Sequence, residues 1–98
     1  MVIVGFSMSW DDVSLVLAST YRRKVLEALK QSPRTPSTIS KETSLHIEHV
    51  SRALHELVER DLVENLTPRR RIGTLYRLTS KGNDVLRKVS ESATSKNT

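Results

Sequence analysis

The segment from Thr35 to Arg77 constrains the fold more than any other part of this chain. Thr35 can cap a helix, and Pro36 suits the first helical position, where its missing N–H costs nothing. Ile39 is the apolar anchor of this short helix, and Thr43-Ser44-Leu45 reads as its exit and a turn. A longer helix is predicted from Ile47 to Arg60, with Val50, Ala53, Leu54, Leu57 and Val58 on one side. His46 stands at its N-cap position, and Glu48 in the first turn favours the helix dipole. Leu62, Val63 and Leu66 then suit one strand, and Leu75, Tyr76 and Leu78 a second. Pro68 ends the first strand and Gly73 relieves the backbone at the loop exit. The loop between the strands carries Arg69, Arg70 and Arg71. A short helix and a two-stranded hairpin are each marginal alone in water, so both must pack on the rest of the chain.

The flanks supply that packing. Ser9-Trp10-Asp11-Asp12 resembles a capping box, and Trp10, Val13, Val16 and Leu17 follow at helical spacing. Ser19 or Thr20 either begins a second helix or marks a bend. Tyr21, Val25, Leu26 and Leu29 form the next apolar stripe, with Arg22, Arg23 and Lys24 mostly off it, and Ser32-Pro33 ends the helix. Thr79 or Ser80 caps a last helix containing Val85, Leu86 and Val89. Residues 91–98 have little to bury and are expected to be frayed or disordered. With 98 residues, one domain over 9–90 is expected, after an N-terminal segment 1–8. Only 4% of residues are aromatic, so Leu and Val must build the core. The predicted class is mainly α with a small β-hairpin (α+β), in the order helix-helix-helix-hairpin-helix.

The net charge is +5 and unevenly spread. Four arginines and no acid lie between Arg69 and Arg77, whereas Glu56, Glu59, Asp61 and Glu64 are set against Arg60 alone. A basic cluster on a basic chain points to a polyanion partner. The absence of cysteine excludes disulfides, thiol catalysis and thiolate metal sites. There is no glycine-rich phosphate loop and no paired-carboxylate signature, so neither an enzyme nor a cofactor is expected. The apolar stretch Val2–Val4 is too short to span a membrane and lacks a basic lead-in for export, so a soluble cytoplasmic protein is expected.

Five stretches carry a resemblance: Tyr21-Arg22-Arg23-Lys24-Val25-Leu26, Thr35-Pro36-Ser37-Thr38-Ile39-Ser40, Val50-Ser51-Arg52-Ala53-Leu54, Leu57-Val58-Glu59-Arg60-Asp61-Leu62-Val63 and Leu75-Tyr76-Arg77-Leu78-Thr79-Ser80-Lys81-Gly82. Their order and spacing, over roughly Leu17 to Val89, resemble the winged helix-turn-helix DNA-binding domains of archaeal and bacterial transcription regulators, in the group that includes the arsenic-repressor and multiple-antibiotic-resistance types. The resemblance implies a sequence-specific regulator whose recognition helix, about 47–60, lies in the major groove of double-stranded DNA. The arginine wing, 69–73, would hold the flanking backbone or the minor groove. If Val50, Leu54 and Leu57 face the core, then Glu48, Ser51, Arg52 and His55 point outward. Ile47 and His49 complete this set at the helix start. Arg52 suits guanine, Ser51 a base or phosphate, His49 either, and Glu48 cytosine, although an acid also repels phosphate. Thr35, Ser37 and Thr38 suit a backbone phosphate at a helix N-terminus. Arg69, Arg70 and Arg71 suit phosphates or a narrow minor groove. Ordinary solvated surface is the alternative for each of these residues. Two other functions fit the pattern: a winged-helix scaffold for protein contact, using the acidic stretch Glu56–Glu64, and a non-specific chromatin-type DNA binder.

A homodimer is weighed through Trp10, Val13 and Val16 and through Val85, Leu86 and Val89, stripes that serve equally to close a monomer's core. No small-molecule ligand is evident. His46 and His49, three apart, can share a face and hold a metal, but no cysteine or third close ligand completes a site, so no metal is expected. With His55 they lie in or beside the recognition helix, where phosphate would favour their protonated forms. DNA affinity is therefore expected to rise as pH falls through about 6.5, and a flat titration at constant salt contradicts this.

Overall fold

A computed structural model describes residues 10–69 and 73–96. Helices α1 (Trp10–Leu17), α2 (Thr20–Ala28), α3 (Pro36–Thr43) and α4 (Ile47–Glu59) precede strands β1 (Val63–Asn65) and β2 (Tyr76–Leu78), and α5 (Ser80–Lys96) follows. The open choice at Ser19 resolves as a second helix, because the Ser19 side chain accepts from the Arg22 amide and caps α2. The expected helix-helix-helix-hairpin-helix order is thus α2 to α5, with α1 in front.

The predicted punctuation is largely what shapes the chain. Thr35 caps α3 by accepting from the Thr38 amide at 3.3 Å, with Pro36 in the first turn. Ser44 closes α3 in the left-handed region at φ 62°, and Ser40 Oγ donates to the Leu45 carbonyl at 2.6 Å. At the end of α4, Asp61 takes φ 66°. The Leu62 amide then reaches the Leu57 carbonyl and the Asp61 amide that of Val58, both at 2.9 Å. This is the double bond of a Schellman motif with aspartate where glycine is usual, a turn the sequence pattern did not disclose.

One core joins Val13 and Val16 of α1, Val25 and Leu26 of α2, Ile39 of α3, Val50, Leu54 and Leu57 of α4, and Val85, Leu86 and Val89 of α5. That burial corrects the dimer stripes. Val13, Val16, Val85, Leu86 and Val89 pack α1 and α5 within one chain, and only Trp10 of the six stays exposed, at 66%. The chain end also differs from expectation, since α5 continues past Ser90 to Lys96. Once a helix is nucleated, each added residue gains a hydrogen bond at little further entropic cost.

The hairpin is antiparallel, in register Val63↔Leu78, Glu64↔Arg77 and Asn65↔Tyr76. Its strands are shorter than predicted, although the Leu66 amide still reaches the Leu75 carbonyl at 2.7 Å. Arg34 forms an isolated bridge to Tyr76, with amide–carbonyl bonds of 3.0 and 2.9 Å, and so ties the α2–α3 connection to the hairpin. Asp12 is 2% exposed and lies 3.1 Å from Arg60 and 3.3 Å from Lys81. Its carboxylate therefore meets two cations, and its expected capping partner, Ser9, lies outside the described residues.

The junction of α4 with α5 is close. Thr79 Oγ1 donates to the Asp61 carbonyl at 2.6 Å and accepts from the Gly82 amide at 2.9 Å, capping α5. A Cβ on Gly82 would lie 1.9 Å from the Leu62 carbonyl oxygen, so only glycine fits without displacing backbone. Gly82→Ala is expected to lower stability by about 1–3 kcal/mol, as overpacking does. Thermal unfolding checks this, and an unchanged midpoint contradicts it.

Candidate nucleic-acid interface

α4 buries Val50, Ala53, Leu54 and Leu57 and turns Ile47, Glu48, Arg52 and His55 to solvent. Ser51 and His49 are half-buried at the margin of this face. The structure thus brings the six proposed reading residues onto one helix, with unequal freedom. The His49 ring stacks on Tyr21 with centroids 4.4 Å apart and planes at 7°, and His46 meets His49 edge-on at 5.9 Å. The expected core role of Tyr21 is therefore only partial, because the residue is 41% exposed and its ring braces α4 instead. Among the described residues, no group of three His, Cys, Asp or Glu could hold a metal ion.

A cleft of about 120 Å³ between α2 and α4 is lined by Tyr21, Arg22, His49, Arg52 and Glu56, with Ser19 and Ala53. Arg22 Nε donates to Glu56 Oε1 at 2.8 Å, and Arg22 Nη1 to the Leu15 carbonyl at 2.9 Å. One guanidinium thereby joins α1, α2 and α4. The Arg22 hydrogen bond holds the Glu56 carboxyl below its ordinary pKa against the opposing effect of desolvation, and the charges of Arg22, Arg52 and His55 add to the lowering. In the sequence Arg22 reads only as a basic residue off the apolar stripe of its helix. The available signal was an acid on the flank of α4, whose partner only the packing of α2 could reveal.

At the N-terminus of α3, the Thr35 hydroxyl is already engaged by the Thr38 amide and lies 3.1 Å from the Thr38 hydroxyl. Ser37 is the exposed member of the three residues proposed for the DNA backbone. At the wing, the Asn65 side chain accepts from the Thr67 amide at 2.8 Å, and Thr67 Oγ1 accepts from the Leu75 amide at 2.9 Å. These two bonds close the base of the loop, and Gly73 takes φ +73° as expected. Arg69 is exposed, while Arg70 and Arg71 lie outside the described residues. Arg77 pairs across the strands with Glu64, its Nε donating to Glu64 Oε2 at 2.9 Å. It is therefore set apart from Arg69, the other described arginine of the basic run, which makes no ion pair within 4 Å among the described residues. A recess of about 240 Å³ lined by His55, Val58, Glu59, Asn65 and Tyr76 separates α4 from the hairpin, so the helix and the wing are neighbours. No helix among the described residues is long and apolar enough to cross a membrane.

A capped helix, a turn, a second helix with a polar outer face and an adjacent hairpin define a winged helix-turn-helix domain. Residues 10–97 match the family model described as the HVO_A0261 N-terminal domain, and the chain belongs to that family. Among solved structures it is similar to a MarR family transcription regulator, SP03579, with TM-score 0.74 and 20% identity over 88% of this chain and 58% of that one. It is similar also to the homodimeric winged helix-turn-helix DNA-binding domain of Mb0332 from Mycobacterium bovis, a possible ArsR-family transcriptional regulator, with TM-score 0.65 and 26% identity over 90% of this chain and 78% of that one. A third similar structure is the C80S mutant of MarR from E. coli in complex with operator DNA, with TM-score 0.65 and 24% identity over 83% of this chain and 62% of that one. The chain thus spans 58% and 62% of the length of these two MarR-type chains. No curated protein sequence gives a significant match.

The lowered pKa of Glu56 has a thermodynamic consequence. A carboxylate favoured in the folded state adds stability above its unfolded-state pKa, about 4.3, and that stability is lost as pH falls through the folded value. Glu56→Gln is expected to be less stable than wild type near neutrality and to converge with it in acid. Denaturant unfolding between pH 7 and pH 2 checks this, and a stability gap that does not shrink in acid contradicts it.

Proposed function

We propose that this chain is a sequence-specific double-stranded DNA-binding domain of a transcription regulator, without enzymatic activity. The observation that carries the reading is the outer face of α4, where Glu48, Arg52 and His55 are exposed beside a hairpin loop that begins its basic run at Arg69. In this reading α4 enters the major groove. Arg52 and Ser51 contact base edges, with Ile47, Glu48, His49 and His55 around them. Arg69, Arg70 and Arg71 hold the flanking backbone or minor groove, and Ser37, with Thr35 and Thr38, approaches a phosphate. His49 and Glu48 have the smaller roles, one because it is stacked on Tyr21 and the other because of its charge. The functional domain is the described winged helix, and its site of action is the cytoplasm. The similarity to MarR bound to operator DNA and to the homodimeric Mb0332 domain supports both DNA and a second copy of this chain as partners. The scaffold alternative is weaker, because Glu56 and Glu64 of its acidic stretch are paired with Arg22 and Arg77.

The roles separate by mutation, using a duplex selected from a random pool by the wild-type chain. Arg52→Ala is expected to relax selectivity at one base pair, worth about 1–3 kcal/mol of discrimination. Replacing Arg69, Arg70 and Arg71 by alanine is expected to weaken selected and unselected duplexes alike. It should also reduce the slope of log affinity against log salt by about 2.7. Fluorescence anisotropy over a salt series reads both effects. An unchanged slope in the triple variant would remove the wing from the mechanism.

A further inference from the structure

Arg52 and Glu56 stand four residues apart on α4, the spacing at which opposite charges pair along a helix. Glu56 is nevertheless held by Arg22, with the ion pair at 2.8 Å, and Arg52 makes no ion pair within 4 Å among the described residues. The Arg22 guanidinium is anchored at its far side by the Leu15 carbonyl, and its backbone is fixed where Ser19 caps α2. It is also the better shielded of the two partners, at 21% exposure against 37% for Glu56. A preformed pair tied to two other helices outcompetes a flexible surface arginine, because its ordering cost is met by the fold.

We propose that Arg22 is a positioning residue that holds and neutralises Glu56, leaving Arg52 free to engage the duplex. This rests on the DNA-binding reading and assigns that site a residue which touches no base. Without Arg22, Glu56 is an unneutralised acid one turn from Arg52. It then draws the Arg52 guanidinium along the helix and away from DNA, and it adds a like charge facing phosphate. Glu48, four residues before Arg52, Glu59, three after Glu56, His55, beside Glu56 in sequence, and His49, in the same cleft, are the other titratable groups of α4 near this pair. Tyr21 faces the cleft from α2.

The test is a mutant cycle on DNA binding, with the selected duplex and an unselected duplex of equal length as probes at one salt concentration. Arg22→Ala is expected to weaken binding of the selected duplex about fivefold. Adding Glu56→Gln to that variant should bring affinity back to within about twofold of wild type, although Glu56→Gln alone changes it by less than about twofold. In an Arg52→Ala background, Arg22→Ala should cost less than about twofold, because the residue it acts through is gone. A merely structural Arg22 gives a loss that Glu56→Gln does not rescue and that persists without Arg52, and either result overturns the proposal. Should Arg22→Ala not fold by circular dichroism, Arg22→Gln carries the same cycle and the same outcomes. A wild-type chain that binds neither duplex overturns the DNA-binding reading itself. Wild-type binding with additive Arg22 and Glu56 effects overturns only the role given to Arg22.

Discussion

The buried stripe of α4 is the constraint on which the rest of the structure depends. Val50, Ala53, Leu54 and Leu57 occupy the centre of the core, so the rotation of α4 about its own axis is fixed. Turning the helix by one residue would expose part of that stripe and bury Arg52 or Glu48, each a larger loss than any surface pair can offset. The outward face is therefore a consequence of packing. Its lengthwise position is set at the two ends. Tyr21 grips α4 near its start at His49 and Arg22 grips it further along at Glu56, while the carbonyls of Arg60, Asp61 and Leu62 are held by Lys81 and Thr79 at the start of α5.

Much of this was legible in the residues because it is local. Thr35-Pro36, the spacing of Val50, Leu54 and Leu57, Pro68 after the first strand and Thr79 before the last helix each act over three or four positions. What was not legible acts between elements. Asp12 reads as a capping residue, yet Arg60 and Lys81, 48 and 69 positions away, claim its carboxylate. Nothing in the local pattern marks Arg34 as a bridge partner of Tyr76 or Glu56 as a partner of Arg22. The stripes of α1 and α5 look alike whether they face each other or a second copy, and burial alone decides that Val13, Val16, Val85, Leu86 and Val89 face each other.

The same distinction sorts the charges. By composition the chain is a basic protein with an acidic patch and a basic run. By structure the acids Glu56, Glu64 and Asp12 are each bound to arginine or lysine of another element, whereas Arg52 and Arg69 remain on the surface. Glu56 and Glu64 are thereby neutralised beside α4 and the hairpin, while Glu48 and Glu59 stay exposed on α4 together with Arg52. A fold that placed Arg22 or Arg77 elsewhere would carry the same net charge with a weaker field at this face.

The central claim is that this face reads sequence as well as holding phosphate. Selection of duplexes from a random pool, followed by competition between the enriched duplex and unselected DNA at fixed salt, tests it most directly. The account predicts an enriched motif bound at least about a thousandfold more tightly than unselected DNA. A pool without enrichment, with equal affinity for both, would contradict it.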